Sequence, residues 1–260
     1  MRFWQVDPGR QPDWRNLASL STDECKAVYD ARTRLDRVAG SAGCLVGEAA
    51  AIVVASPPRR LRLLHVNCGS GELTAAIADR LSGWQAAPLG GGLPAGAGVE
   101  LLGIDADRGA IDRARTTFGE RLAGRVEFAV RDVRTEGCPP CDIAIGSLVL
   151  LQAADSEAVA ILEAMAASAR LGGVVSELLR TSAARAIALI ATSMPPGPRP
   201  RTAAGLAAVR AARTLDQYRN LADRAGLPHA TVRRSWTQRG ILTWKTAEPL
   251  DELIPGMACA

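Results

Sequence analysis

The sequence predicts an α/β protein built on one seven-stranded sheet, parallel except for its last strand. Three observations carry this reading. Short apolar runs alternate with amphipathic helical segments between residues 60 and 180, the pattern of βαβ units whose parallel strands are covered on both faces. The first run ends in a glycine-rich turn. The chain then closes on two strands joined by a short turn, which an all-parallel sheet does not normally have.

The elements follow in order. Residues 1–30 are polar, with Pro8 and Pro12 as breakers. Helical character runs from about 22 to 55, interrupted near Gly40, and ends at Pro57 and Pro58. Strands are expected at 61–66, 99–104, 126–130, 143–150 and 173–179. Helices are expected at 72–81, at 108–122 with Asp107 as N-cap, and at 156–171 before Gly172 and Gly173. Residues 84–98 read as a Gly/Pro surface loop. A helical segment at 183–193 precedes a Pro-rich break at 195–200. Thr214 and Gln217 form a capping-box pattern opening a helix that ends at Gly226. Strands at 231–236 and 240–245 complete the chain. The expected organisation is a helical N-terminal cap (1–58), then a ligand-binding domain (59–260) carrying a helical insert (181–213). Cap and insert are expected over the carboxyl edge of the sheet.

Composition narrows the function classes. The 260 residues are 48% apolar and 22% charged, as in an ordinary globular protein. A net charge of +4 is too mild to imply nucleic acid. No apolar run reaches the length of a membrane span, and residues 1–15 lack the apolar stretch of a signal peptide. No membrane partner is expected. The six cysteines are expected to stay reduced in the cytoplasm. With only two histidines, His65 and His229, no metal site is expected. Cys138 and Cys141 form a single Cys-x-x-Cys, read as incidental because no second pair accompanies it.

The candidate ligand residues cluster after the strands. The first strand runs into His65-Val66-Asn67-Cys68-Gly69-Ser70-Gly71. A glycine-rich turn there lets backbone N–H groups and a helix N-terminus approach a ligand. By itself it is equally a tight turn that needs glycine for its dihedrals. Asp105 and Ala106 follow the second strand, where an acid can accept ribose hydroxyls. Asp132 and Val133 follow the third, where a carboxylate can meet an adenine amino group. Together these stations describe an adenosine cradle.

At these residues the chain resembles class I S-adenosylmethionine-dependent methyltransferases, with a Rossmann-like fold. The resemblance is densest over residues 60–180. The segments Glu177-Leu178-Leu179-Arg180-Thr181, Ala212-Arg213-Thr214 and Ala225-Gly226-Leu227 are similar to a bacterial small-molecule subgroup. The resemblance implies S-adenosylmethionine as cofactor, over His65, Asn67 to Gly71, Asp105, Ala106, Asp132, Val133 and Ser147. It implies a phenolic, quinone or polyketide-like acceptor, and a monomer or homodimer. Ser147 and Gln152 are the candidate catalytic positions; Gln152 and Arg180 are candidates for the acceptor. Arg180 fits an acidic substrate group or an ordinary ion pair.

Three departures stand out. His65 occupies the place of the family's first acid, which helps hold the methionine ammonium. Asn67 replaces the first glycine, and Asn tolerates positive φ. Leu151-Gln152 replaces a His pair found in relatives. Methyl transfer from a sulfonium is driven by its leaving group, so positioning can carry it without a strong base. A non-catalytic relative is the main alternative. A nicotinamide oxidoreductase fits less well, since Thr74 stands at the third glycine of Gly-x-Gly-x-x-Gly. Trp4, Trp14, Trp236 and Trp244 are read either as an aromatic pocket or as packing of the cap.

Overall fold

The computed structural model describes residues 21–53, 60–86, 98–151, 153–193, 199–227 and 229–246. Its elements are α1 (Thr22–Ala39), α2 (Ser41–Val53), β1 (Arg60–Val66), α3 (Glu72–Ala86), β2 (Gly98–Asp105), α4 (Arg108–Phe118), β3 (Val126–Val130) and α5 (Val133–Glu136). They continue with β4 (Cys141–Ser147), α6 (Asp155–Ser168), β5 (Ala169–Leu178), α7 (Ser182–Ser193), α8 (Arg199–Ala211), α9 (Leu215–Arg224), β6 (Thr231–Arg234) and β7 (Arg239–Lys245).

Local chemistry sets the helix ends. Ser21 and Glu24 cap α1 reciprocally, and Gly40 ends it in the left-handed region, which splits α1 from α2. Asp107 caps α4 by accepting from the Ala110 N–H at 3.2 Å. Thr214 and Gln217 form the expected capping box of α9.

The sheet order is β3-β2-β1-β4-β5-β7-β6. β1 pairs in parallel with β2 and β4, so His65 lies beside Gly103 and Ile145. β7 runs antiparallel to both β5 and β6. It therefore begins, at Arg239 opposite Leu178, on the edge where the parallel strands end.

Side-chain alternation builds two cores. One face packs Leu61, Leu63, Ile143, Ile145 and Val174 under α2, α3 and α4. The other packs Leu64, Val66, Ala144, Val175 and Trp244 under α6 and α9. A third cluster joins Leu35 of α1 to Leu148, Leu151 and Leu178 and to alanines of α7 and α8. Of the segment expected to cap the sheet, α1 packs with the insert, while α2 lies against the sheet face.

Several boundaries differ from expectation. β4 stops at Ser147 because Leu148 turns to φ +56°, which no strand accommodates. Its N–H donates to the Ser176 carbonyl instead. α6 passes directly into β5 at Ala169, four residues before the predicted strand start. α5 and α8 were not expected as separate helices. Residues 87–97, within the predicted loop, and Trp4, Trp14 and Gln152 lie outside the described residues.

Candidate functional site

The turn after β1 takes the shape its glycines suggest. Asn67, Gly69 and Gly71 have φ of 58°, 58° and 88°. Asn is among the few non-glycine residues that accept this region. The Cys68 N–H donates to the Ile104 carbonyl, and α3 starts at once, with Ala75 donating back to Gly71. A Cβ on Gly69 would lie 3.1 Å from the Tyr29 ring; one on Gly71 would lie 3.0 Å from Ala114. At these two positions a side chain would be both strained and crowded.

Asp105 secures the turn from β2. Its Oδ2 accepts from the Gly69 N–H at 2.8 Å and its Oδ1 from the Asp107 N–H at 2.9 Å. It is buried, which raises its pKa, and nearby Arg32 opposes that rise. Each carboxylate oxygen carries a further lone pair. Ala106 is exposed beside it and Val133 is half-buried at the start of α5. Asp132 accepts from the Arg134 backbone N–H and from its Nε and Nη2, at 3.0, 2.9 and 2.8 Å. Those bonds hold its pKa down. The carboxylate expected near a base is thus already occupied by a neighbouring guanidinium.

His65 is buried and pairs through Nδ1 with Thr74 Oγ1 at 2.8 Å. Its Nε2 has no partner among the described residues. Burial pushes its pKa down to about 4, so the ring is neutral at pH 7. Thr74, at the third-glycine position, is used for this bond.

α1 supplies residues that sequence reasoning missed. Tyr29 donates its hydroxyl to Asp107 Oδ2 at 2.7 Å and lays its ring over Gly69. Arg32 Nη2 donates to the carbonyls of Asn67 and Ser147, at 2.9 and 3.1 Å. Asp36 Oδ1 accepts from Ser147 Oγ at 2.6 Å, from Ser41 Oγ at 2.8 Å and from Arg239 Nη2. These three residues sit at i, i+3 and i+7, one face of a helix. That spacing was readable in the sequence; its target was not.

The far end of the edge holds buried groups with spare capacity. Glu177 Oε1 accepts from the Leu150 N–H at 2.8 Å, while its Oε2, Ser176 Oγ and two nitrogens of Arg239 lack partners among the described residues. Burial pushes the Glu177 carboxyl up to about 7. Arg180 is exposed and donates to Gln217 Oε1 at 3.0 Å. Both line an open groove of about 800 Å³ with Leu151, Asp155 and Arg213. Arg180 therefore has a neutral partner here, not an ion pair. Of the described tryptophans, Trp244 packs in the core and Trp236 is exposed. Cys138 and Cys141 are free thiols that burial pushes up to about 11 and about 12.

No protein-family model and no curated protein matches the sequence. Solved structures do. The plantazolicin methyltransferase BpumL, in complex with SAH, is 15% identical, with a TM-score of 0.60 over 85% of this chain and 79% of that one. Magnesium protoporphyrin IX methyltransferase from Synechocystis PCC 6803, with bound SAM, is 17% identical, with a TM-score of 0.50 over 90% and 89%. Human N-acetylserotonin methyltransferase, in complex with SAM, is 15% identical, with a TM-score of 0.51 over 89% of this chain and 57% of that one. The chain has the class I methyltransferase fold.

Proposed function

We propose that the protein is an S-adenosylmethionine-dependent methyltransferase acting on a small phenolic, quinone or polyketide-like acceptor. The observation that carries this reading is the turn after β1. Three residues there are left-handed, Cβ atoms at Gly69 and Gly71 would crowd Tyr29 and Ala114, and Asp105 closes the turn from the next strand. Buried His65, whose Nε2 is unpartnered among the described residues, lines the same cleft. These features fit a nucleoside carrying an amino-acid tail.

In this reading Asp105 accepts the ribose hydroxyls with its remaining lone pairs. The loop N–H groups and the start of α3 line the nucleoside's approach. When bound, the sulfonium supplies an electrophilic methyl group. An acceptor held beside it would take that methyl as the S–CH3 electron pair stays on sulfur, and its proton would pass to solvent. The chain's part is to position the two partners. Arg180 anchors an acidic group of the acceptor in the groove beside Leu151, where a cation with a neutral partner has attraction to spare. Ser147 already donates to Asp36, so it holds the strand end in place and is not a base.

A dinucleotide oxidoreductase fits poorly, because β7 lies antiparallel between β5 and β6 rather than extending a parallel order. A non-catalytic relative draws support from Asp132, whose carboxylate is bound by Arg134. Calorimetric titration with S-adenosylmethionine, S-adenosylhomocysteine and NADPH separates the three. Micromolar binding of the two sulfur nucleosides alone is expected; no binding of either overturns the proposal.

A further inference from the structure

The carboxyl edge of the sheet also carries an exposed indole that the proposed function does not use. β6 and β7 meet there in a tight turn that holds Trp236 outward, 89% exposed. The turn is fixed on both sides of that residue. The Ser235 N–H donates to the Arg239 carbonyl at 2.8 Å, and the Gln238 N–H to the Ser235 carbonyl at 3.1 Å. The Arg239 N–H donates in turn to Ser235 Oγ at 3.1 Å. Thr237 Oγ1 donates to the Ala39 carbonyl at 3.5 Å, which sets the turn against the end of α1. There Val38 is 49% exposed.

The charge around this tip has one sign. Residues 231–245 contain three arginines, a lysine and no acid. Two acids reach the hairpin from outside it, and both are engaged: Glu48 by Arg233 and Asp36 by Arg239. Arg37, beside Val38, and Arg234, two residues before Trp236, are exposed and have no side-chain partner among the described residues. A stable protein partner would cover about 800 Å² of this surface. One indole offers at most about 250 Å², and a single valine adds little. A bilayer needs no matching shape. An indole settles at its interface, and cations are drawn to anionic headgroups.

We propose that the β6–β7 turn and the end of α1 form a docking surface for an anionic lipid bilayer. Trp236 and Val38 enter the interface, while Arg37 and Arg234 meet headgroup phosphates. The sequence expectation of no membrane partner concerns spans and leaders; this contact belongs to the folded surface. No helix among the described residues is long and apolar enough to cross a membrane. Docking brings the carboxyl edge, where the cleft opens, to the bilayer, in which an apolar acceptor dissolves.

Full-length protein is sedimented with phosphatidylcholine vesicles and with vesicles of equal parts phosphatidylcholine and phosphatidylglycerol. Partition into the anionic vesicles is expected, falling as salt rises. Trp236→Ala is expected to lower it about tenfold, as the loss of one large buried side chain implies. Arg37→Gln combined with Arg234→Gln is expected to lower it by about the same factor. The changed residues are exposed, and an unchanged urea midpoint checks that each variant folds. With brominated acyl chains, wild-type tryptophan fluorescence is expected to be quenched and that of Trp236→Ala spared. Wild-type protein that stays in the supernatant with both vesicles overturns the docking surface. So does equal partition into the two kinds of vesicle, or a Trp236→Ala variant that partitions and is quenched like wild type. None of these results touches cofactor binding, so the methyltransferase reading stands or falls separately.

Discussion

Over β1–β3 the carboxyl edge is held mainly by contacts among its own turns, with Tyr29 and Arg32 added from α1, whereas over β4, β5 and β7 it depends on buried side chains from distant parts of the chain. Asp105 accepts from N–H groups of Gly69 and Asp107, and the Cys68 N–H reaches Ile104. At the other end, Ser147 depends on Asp36, and Asp36 on Arg239, 203 residues away. Among the described residues the first end leaves one buried side-chain atom unpartnered, His65 Nε2, and the second leaves atoms of Ser176, Glu177 and Arg239. An edge with nearly all groups paired holds one shape, suited to a constant ligand; one with several orphans has donors and acceptors left for a variable partner.

The largest expected effect tests the side-chain end. Arg239→Ala leaves Asp36 buried without its cation and should lower stability by about 3–5 kcal/mol. Urea unfolding at constant slope reads this directly. A loss under about 1 kcal/mol would break the contrast between the two ends.

Next in size is the pH dependence. In the folded chain Glu177 is raised from 4.5 to about 7 and His65 lowered from 6.5 to about 4. Between pH 4.5 and 7 the folded state keeps a proton on Glu177 that the unfolded chain has released. Stability then falls as pH rises, by about 3 kcal/mol in all. Between pH 4 and 6.5 the unfolded chain holds a proton on His65 that the folded state lacks. That contribution rises with pH by about 3 kcal/mol and opposes the first. Glu177→Gln should therefore expose a rise between pH 4 and 6.5, and His65→Asn a fall between 4.5 and 7. Denaturant midpoints across this range check both; a Glu177→Gln profile as flat as wild type would rule out the opposition.

The backbone-held end is sharpened by two smaller changes. Asp105→Ala should weaken S-adenosylhomocysteine binding tenfold or more, from loss of charge-assisted bonds of about 1.5–3 kcal/mol. Unchanged affinity in calorimetry would withdraw Asp105 from the ribose. Arg134→Ala breaks a half-exposed pair and should cost under about 1 kcal/mol of stability. Nucleoside affinity should hold or rise as Asp132 is freed. A clear drop would mean that Arg134 itself meets the ligand.

The same contrast explains what the sequence made legible. Most strands and helices, the turn geometry and the Asp107 and Thr214 caps depend on neighbours a few residues apart, and periodicity and turn chemistry report such neighbours well. β4 was read three residues too long because Leu148 to Leu150 are apolar like a strand, while the turn is enforced by Ser176 and Glu177 from β5. Asp132 sits where a base-binding acid was expected, but its pairing with Arg134 depends on the short helix α5, which left no clear signal. Tyr29, Arg32 and Asp36 carried a helical spacing without an address. Arg239 fell in the turn before the expected last strand, and only the antiparallel placement of β7 connects it to α1.

That placement also bears on how the chain is made. Asp36 emerges from a ribosome early, and its cation follows 203 residues later. At about 5–20 residues per second the interval is roughly 10–40 s. Until then the carboxylate has no compensating charge, and α1 gains little by docking. The nascent β1–β3 region can form the contacts of its edge during synthesis, but the closing helix must wait for β7, the last strand of the sheet.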